Sequence, residues 1–303
     1  MITPSPLQSN DRIVIVATAK KLSDDLQAAI QILKSWGLDV KIHPNTHLVD
    51  GYFAGTDKQR LNALQQTLDD LEVKAILFAR GGYGTTRIID HLNWTTFLKH
   101  PKWLIGFSDL TSILLQLDQL HVAAIHGPMA YTLPWHPSSQ KSLHKLLFGS
   151  KTMRYVLPAG HLTKEGIAKG KIVGGNLSLI AESIGTGQEI QTKENILLLE
   201  EVGEATYSID RMLNKLKRIN KFKGIKGLLV GDISQSKEVE DGFGHSVLEV
   251  IHSYFDPLNI PMAFGLKMGH EKENHAFLVN TFCQIEVTAN HVDVNYNTTP
   301  SSS

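Results

Sequence analysis

The first 126 residues alternate short apolar runs with segments whose apolar side chains recur at helical spacing, and this alternation restricts the fold more than any other feature of the chain. Arg12-Ile13-Val14-Ile15-Val16-Ala17 reads as a buried strand. A helix-like stretch from Asp25 to Trp36 follows and stops at Gly37. Leu38 to Ile42 is a second strand, and Thr56 and Asp57 can cap a helix running through Leu71. Ala75 to Ala79 is a third strand. Strands in such a repeat pair in parallel under right-handed crossovers. The expected class is therefore α/β, with a doubly wound, mostly parallel sheet and its site at the carboxyl edge of the strands.

One strand end in this array has the makings of a chemical group. Trp103-Leu104-Ile105-Gly106 runs directly into Phe107-Ser108-Asp109-Leu110, and a helix-compatible segment continues to Leu117. A Gly-x-Ser at a strand-to-helix corner can expose the serine hydroxyl beside the first free N–H groups of the helix. The same serine could simply cap that helix. Leu110 stands where the full G-x-S-x-G pattern has a second glycine.

A serine needs a base, and the base needs an orienting carboxylate. Of 14 histidines, His270 follows an apolar run and Gly269, where a loop can project into a cleft. His126, before Gly127-Pro128, is the rival; His245, His275 and His291 have less around them. Ile196-Leu197-Leu198-Leu199 ends in Glu200-Glu201, and a carboxylate after four apolar strand residues calls for a hydrogen-bond donor. An imidazole would serve, and so would Arg211 or the start of the helix from Tyr207. Arg80-Gly81-Gly82-Tyr83-Gly84 follows the third strand. Its glycines suit a tight turn, a phosphate cradle or, with the Asp109 N–H, an oxyanion hole. It has the spacing of neither a dinucleotide loop nor a P-loop.

Length and balance narrow the class further. A chain of 303 residues fits two domains. Thirty basic residues offset thirty acidic ones, so nothing global calls for nucleic acid or an anionic membrane. The five lysines and one arginine from Lys215 to Lys226 read as a solvated helix face and its exit. Cys283, the single cysteine, sits in an alternating strand pattern and has no disulfide partner. No basic leader with an apolar core and no membrane-length apolar run is present, so the expected location is cytoplasmic. No clustered Cys or His spacing suggests a metal, and no cofactor is expected. The glycine- and lysine-rich stretch from Gly160 to Gly170 is the expected domain boundary. The second half reads as strands mixed with helices, with antiparallel character from Phe277 to Val294. Asn297 to Ser303 reads as a frayed tail.

Several blocks together resemble one family. Arg80-Gly81-Gly82-Tyr83-Gly84, Gly106-Phe107-Ser108-Asp109-Leu110-Thr111, Gly174-Gly175-Asn176-Leu177, Leu199-Glu200-Glu201-Val202-Gly203-Glu204 with Ile209 to Leu213, and Gly269-His270-Glu271 stand in the order and spacing of the LD-carboxypeptidases, a serine-peptidase family. Phe53 to Asp57 with Arg60-Leu61 is similar too, while Ala17-Thr18-Ala19-Lys20 departs from the usual Ala-Pro-Ser-Gly. The resemblance implies Ser108 as nucleophile, His270 as general base and acid, and Glu200 as its orienting carboxylate. It implies an oxyanion hole from Asp109 and Gly82, and leaves Arg80 as a candidate anchor for the substrate carboxylate. It also implies an amino-terminal nucleophile domain resembling the class I glutamine amidotransferase fold. With the boundary read from composition, the expected domains are 1–159, a linker over 160–172 and a smaller mixed α/β domain over 173–303. The implied substrate is a murein tetrapeptide losing its terminal D-alanine, and the implied assembly is a homodimer. A microcin C immunity-type hydrolase of peptidyl or aminoacyl nucleotides would share the triad, with Trp135 as a candidate aromatic platform. A non-catalytic phosphate-binding protein would use the Gly81 loop alone.

Overall fold

A computed structural model describes residues 1–23, 25–160, 162–236 and 242–297. The expected frayed tail lies outside the described residues except at Asn297. The chain forms two compact units, Met1–Ser150 with Asn274–Leu278, and Lys151–Glu273 with Val279–Ser303.

The first unit is built on a six-stranded sheet. Its elements are β1 (Arg12–Val16), α1 (Gln27–Ser35), β2 (Asp39–Ile42), α2 (Asp57–Asp69), β3 (Val73–Phe78), α3 (Thr95–Lys99), β4 (Trp103–Gly106), α4 (Thr111–Gln119), β5 (Ala124–His126) and α5 (Pro137–Leu147). β1 lies between β2 and β3, β4 follows, then β5, with all these pairs parallel. The central strands β1, β3 and β4 are buried on both faces, since Ile13, Ile15, Ala75, Ile76, Leu77, Leu104 and Ile105 are wholly inaccessible, which is why they read as apolar runs. α2 begins with a capping box: Thr56 Oγ1 accepts from the Gln59 N–H, and Gln59 Oε1 accepts from the Thr56 N–H. Such a cap is worth about 1 kcal/mol. α1 stops where Gly37 adopts φ +83°, as its sequence anticipates.

The second unit holds a seven-stranded mixed sheet. Its elements are β6 (Thr152–Val156), β7 (Gly166–Asn176), α6 (Leu177–Glu182), β8 (Ile196–Val202), α7 (Thr206–Arg218), β9 (Gly227–Ser234), α8 (Val247–Phe255) and β10 (Met262–Phe264). The chain then supplies β11 (Phe277–Val279) to the edge of the first sheet, and returns as β12 (Phe282–Val287) and β13 (His291–Asn295). β7 to β10 run parallel, and β7, β12, β13 and β6 pair antiparallel. Cys283 is fully buried in β12.

The units divide at Ser150 and Lys151 and exchange a short segment near residue 274, which differs from the expected boundaries at 159 and 172. Most of the expected linker is instead the start of β7. Its glycines are there for packing: a Cβ on Gly170 would come within 2.6 Å of Glu194 O, and one on Gly174 within 2.3 Å of Leu198 O. Low apolar content and glycine mimic a linker, but here they allow strands to approach closely.

Candidate active site

In the first unit, β4 delivers Ser108. The serine has φ +62°, the one serine among described non-glycine residues in the left-handed region. Such backbone costs about 1–3 kcal/mol and gathers at functional turns. Ser108–Leu110 forms one tight turn before α4, and no side chain caps either element. Gly106 makes the turn possible, because a Cβ there would lie 2.9 Å from Leu110 Cγ. The buried Leu110 fills the place that the second glycine of the full pattern would leave open.

The loop after β3 lies against this corner. A Cβ on Gly81 would be 3.2 Å from Ser108 Cβ and 3.3 Å from its Oγ, so a bare backbone passes beside the hydroxyl. Gly82 and Gly84 take φ +115° and +140°, values that side chains disfavour. The buried Asp109 carboxylate holds this loop, with Oδ2 accepting from the Thr85 N–H at 3.0 Å. Burial pushes the Asp109 carboxyl upward, against the hydrogen bonds from Thr85 and Gly84 and the charge of Arg60. Arg80 is half-buried, with its guanidinium 4.9 Å from the Tyr131 ring. His126, the rival base, is fully buried at the end of β5.

Arg60 ties these loops together. It is wholly buried, and its guanidinium donates to Gly55 O, Thr18 O and Gly84 O, pairs with Asp57, and stacks 4.6 Å from the Phe53 ring. Thr18 and Thr85 join through their hydroxyls at 2.9 Å. Arg60 stood in the Phe53 to Leu61 block without a role. A polar helix residue at that spacing looks like any solvated position, so sequence carried no signal of its burial.

In the second unit the two glutamates of β8 take opposite faces. Glu201 accepts from the Ser178 N–H and hydroxyl, Asn176 Nδ2 and its own neighbour Val202 N–H. Asn176 also caps α6 through the Leu179 N–H. Glu201 and the Gly174 to Leu177 block thus fix the β7–α6 corner.

Glu200 faces the other way, wholly buried, and its Oε2 lies 2.8 Å from His270 Nδ1. This pairs the Glu200 carboxylate with the imidazole rather than with Arg211, which reaches Ser208. Gly269, at φ +135°, sets the approach: a Cβ there would lie 3.2 Å from Glu200 Oε2. Burial alone would lower the His270 pKa. The attraction and hydrogen bond of Glu200, with Glu201 and Asp232 adding, outweigh it, so the net displacement is upward. An Nδ1–H donating to Glu200 leaves Nε2 with its lone pair, the form a general base requires. Asp232, two residues past Val230 on β9, also belongs to this group. The signal that marked Glu200, a carboxylate at the end of an apolar strand, marks Asp232 equally.

Residues 13–127 match the LD-carboxypeptidase N-terminal domain, and residues 169–285 match the LD-carboxypeptidase C-terminal domain. The chain belongs to the LD-carboxypeptidase family. Among its relatives, a probable murein peptide carboxypeptidase of Bacillus subtilis is 35% identical, over 88% of this chain and 86% of that protein. A murein tetrapeptide carboxypeptidase of Pseudomonas aeruginosa is 30% identical, over 88% and 90%. The crystal structure of muramoyltetrapeptide carboxypeptidase from Oxalobacter formigenes superposes with a TM-score of 0.83 at 25% identity, over 96% of this chain and all of that one. The microcin C7 self immunity protein in complex with aspartyl sulfamoyl adenosine shares the fold, with a TM-score of 0.86 at 18% identity, over 97% and 98% of the two chains. Among the described residues no helix is long and apolar enough to cross a membrane.

Proposed function

We propose that the chain is a serine LD-carboxypeptidase that hydrolyses the bond between the L-centre of the third residue and the terminal D-alanine of murein tetrapeptides, in peptidoglycan recycling. The observation that carries the reading is the hydrogen bond from His270 Nδ1–H to the buried Glu200 Oε2, which orients the imidazole in the tautomer whose Nε2 can accept a proton. The left-handed backbone of Ser108 and the bare Gly81 backbone beside it support the serine as nucleophile. The family's amino-terminal domain resembles class I glutamine amidotransferases, and the strand order of the first unit agrees with a nucleophile carried at a parallel strand end.

In this mechanism Ser108 Oγ attacks the carbonyl carbon while His270 Nε2 takes its proton. The N–H groups of Asp109 and Gly82 donate to the oxyanion. The intermediate collapses as the imidazolium gives its proton to the departing D-alanine nitrogen, leaving an acyl-serine. Water then attacks, losing a proton to His270, and Ser108 is released with that proton returned. Glu200 holds the tautomer and stabilises the imidazolium at each stage. Arg80 is proposed to meet the substrate's terminal carboxylate. The protein is proposed to act in the cytoplasm as a homodimer, for which light scattering should give twice the chain mass; a monomer mass refutes the dimer.

The test is mass spectrometry of murein tetrapeptide incubated with the protein, beside a peptidyl-nucleotide control. D-alanine release that Ser108→Ala abolishes, with the fold intact by circular dichroism, is the expected result. Cleavage of the nucleotide conjugate alone would transfer the assignment to the microcin immunity type. A fluorophosphonate probe that fails to label wild type at Ser108 would refute both hydrolase readings.

A further inference from the structure

One residue past Gly81, the loop beside Ser108 meets two cations and a phenol, all on the first unit. A Cβ on Gly82 would lie 2.8 Å from Lys20 Cβ and 2.8 Å from the Tyr52 hydroxyl oxygen, so both side chains close on the residue next to the one that touches Ser108. Backbone holds them there. Lys20 bridges Phe53 in antiparallel register, the Lys21 N–H donates to Tyr52 O at 3.0 Å, and the Ala54 N–H donates to Ala19 O at 3.0 Å. Arg80 comes from the start of the loop itself and donates to Lys21 O at 3.4 Å.

Among the described residues no carboxylate engages either cation. Lys20 Nζ lies 5.4 Å from the Tyr52 ring centroid, and the Arg80 guanidinium lies over Tyr131. Both side chains are half-buried. The buried Asp109 carboxylate of this corner is taken up by the Thr85 N–H instead. Tyr52 is 43% exposed, and its hydroxyl makes no hydrogen bond to a described residue. Burial first, and then the Asp109 charge, raise the Tyr52 pKa against the opposing charge of Arg80, so the phenol keeps its proton and remains a donor. Two positive charges and an O–H donor, with no acceptor among them, suit an anion.

The reaction proposed above supplies one. Its departing group is a D-amino acid, whose carboxylate stands about 4 Å from the carbon that Ser108 attacks, roughly one residue's length. The step from Gly81 to Gly82 along the loop is the same length. A departing group held by its carboxylate keeps its amine beside the acyl-serine, and a bound nucleophile reacts far faster than the same molecule free in solution. The amine that left can therefore return.

We infer that the chain is also an L,D-transpeptidase, in which Lys20, Arg80 and Tyr52 hold the carboxylate of a D-amino acid so that its amine competes with water for the acyl-Ser108 intermediate. The amine nitrogen bonds to the acyl carbon, the bond from that carbon to Ser108 Oγ breaks, and the proton lost by the amine passes through His270 to Ser108 Oγ. The sum is acyl-serine plus D-amino acid giving peptide plus free serine, with no electron transferred and no other reactant. Its outcome is exchange of the terminal residue. The inference rests on the LD-carboxypeptidase reading, because it needs the acyl-enzyme.

The experiment incubates murein tetrapeptide with the protein and D-alanine labelled with heavy nitrogen, in a mildly alkaline buffer where more of the acceptor amine is unprotonated. Mass spectrometry follows label entering the remaining tetrapeptide. Labelled D-alaninamide, which has the amine but no carboxylate, is the paired acceptor. Charged hydrogen bonds to the carboxylate predict that D-alanine enters about tenfold to a hundredfold faster than its amide. Lys20→Met and Tyr52→Phe should each lower that preference about threefold or more. The ratio of two acceptors in one variant cancels any effect passed through His270. Ser108→Ala should abolish both release and incorporation. Release of D-alanine with no label in the remaining peptide overturns the inference and leaves the carboxypeptidase reading intact. Equal entry of D-alanine and its amide, or a preference unchanged in both variants, refutes the role of the cluster. If wild type releases no D-alanine at all, both readings fall.

Discussion

Replacing Arg60 with methionine tests how the Ser108 corner is held. Methionine keeps most of the apolar stem but removes every donor. The carbonyls of Gly55, Thr18 and Gly84 then lose a charged partner inside a site that is wholly buried. An orphaned buried acceptor costs about 1–3 kcal/mol, and partial entry of water offsets some of it, so a total of about 3–6 kcal/mol is expected. Asp57 adds little, because it is 41% exposed and keeps Arg87 as a partner. For a unit near 150 residues each kcal/mol corresponds to about 2–4 °C, which places the melting temperature of the first unit about 10–20 °C lower. Activity should fall further than unfolding explains. Gly84 O is an Arg60 acceptor, and the next N–H, Thr85, donates to Asp109 beside Ser108. At a temperature where both proteins are folded, kcat for D-alanine release should drop about tenfold or more, since a displaced oxyanion donor carries that scale of effect. Arg60→Lys should recover part of both losses. Thermal melts by circular dichroism and single-temperature kinetics read the outcome. A methionine variant melting within 2 °C of wild type, with unchanged kcat, would show that the guanidinium holds nothing.

Three further outcomes follow from the two halves of the candidate site. Because Glu200 and its acidic neighbours raise the His270 pKa, and the proposed base works only when neutral, kcat/KM should fall as pH drops through an apparent pKa above the ordinary value of about 6.5. Glu200→Gln removes that attraction and leaves burial, so the acid limb should move to lower pH as turnover drops; a limb that stays in place refutes the pairing. Gly81→Ala places a methyl group 3.3 Å from Ser108 Oγ, and should slow fluorophosphonate labelling at least tenfold with little change in melting temperature, whereas equal labelling rates would mean the loop is not against the serine. Glu201→Ala should cost about 2–4 kcal/mol by stranding Ser178 and Asn176, seen as a lower denaturation midpoint, while the acid limb of the pH profile stays within a few tenths of a unit; a large displacement of that limb would mean that the two glutamates are not separate in role.

Much of this protein was legible in the order of its residues. Local patterns decide local structure: the apolar runs at Ile13, Ala75 and Leu104 became β1, β3 and β4, and Thr56 with Gln59 became the cap of α2. Motif blocks singled out Ser108, Glu200 and His270 as expectations, and the second unit brings two of them together, His270 Nδ1 lying 2.8 Å from Glu200 Oε2. The boundary between units was not legible, because the glycines of β7 resemble a linker until Leu198 and Glu194 are seen packed against them. Nor could sequence separate Glu200 from Glu201. Adjacent residues on a strand point to opposite faces, and only the placement of α6 on one side and His270 on the other gives the first glutamate an imidazole and the second a helix corner. Arg60 was invisible for the same reason: a charge acquires its meaning from what surrounds it, and burial is decided by segments distant in the chain.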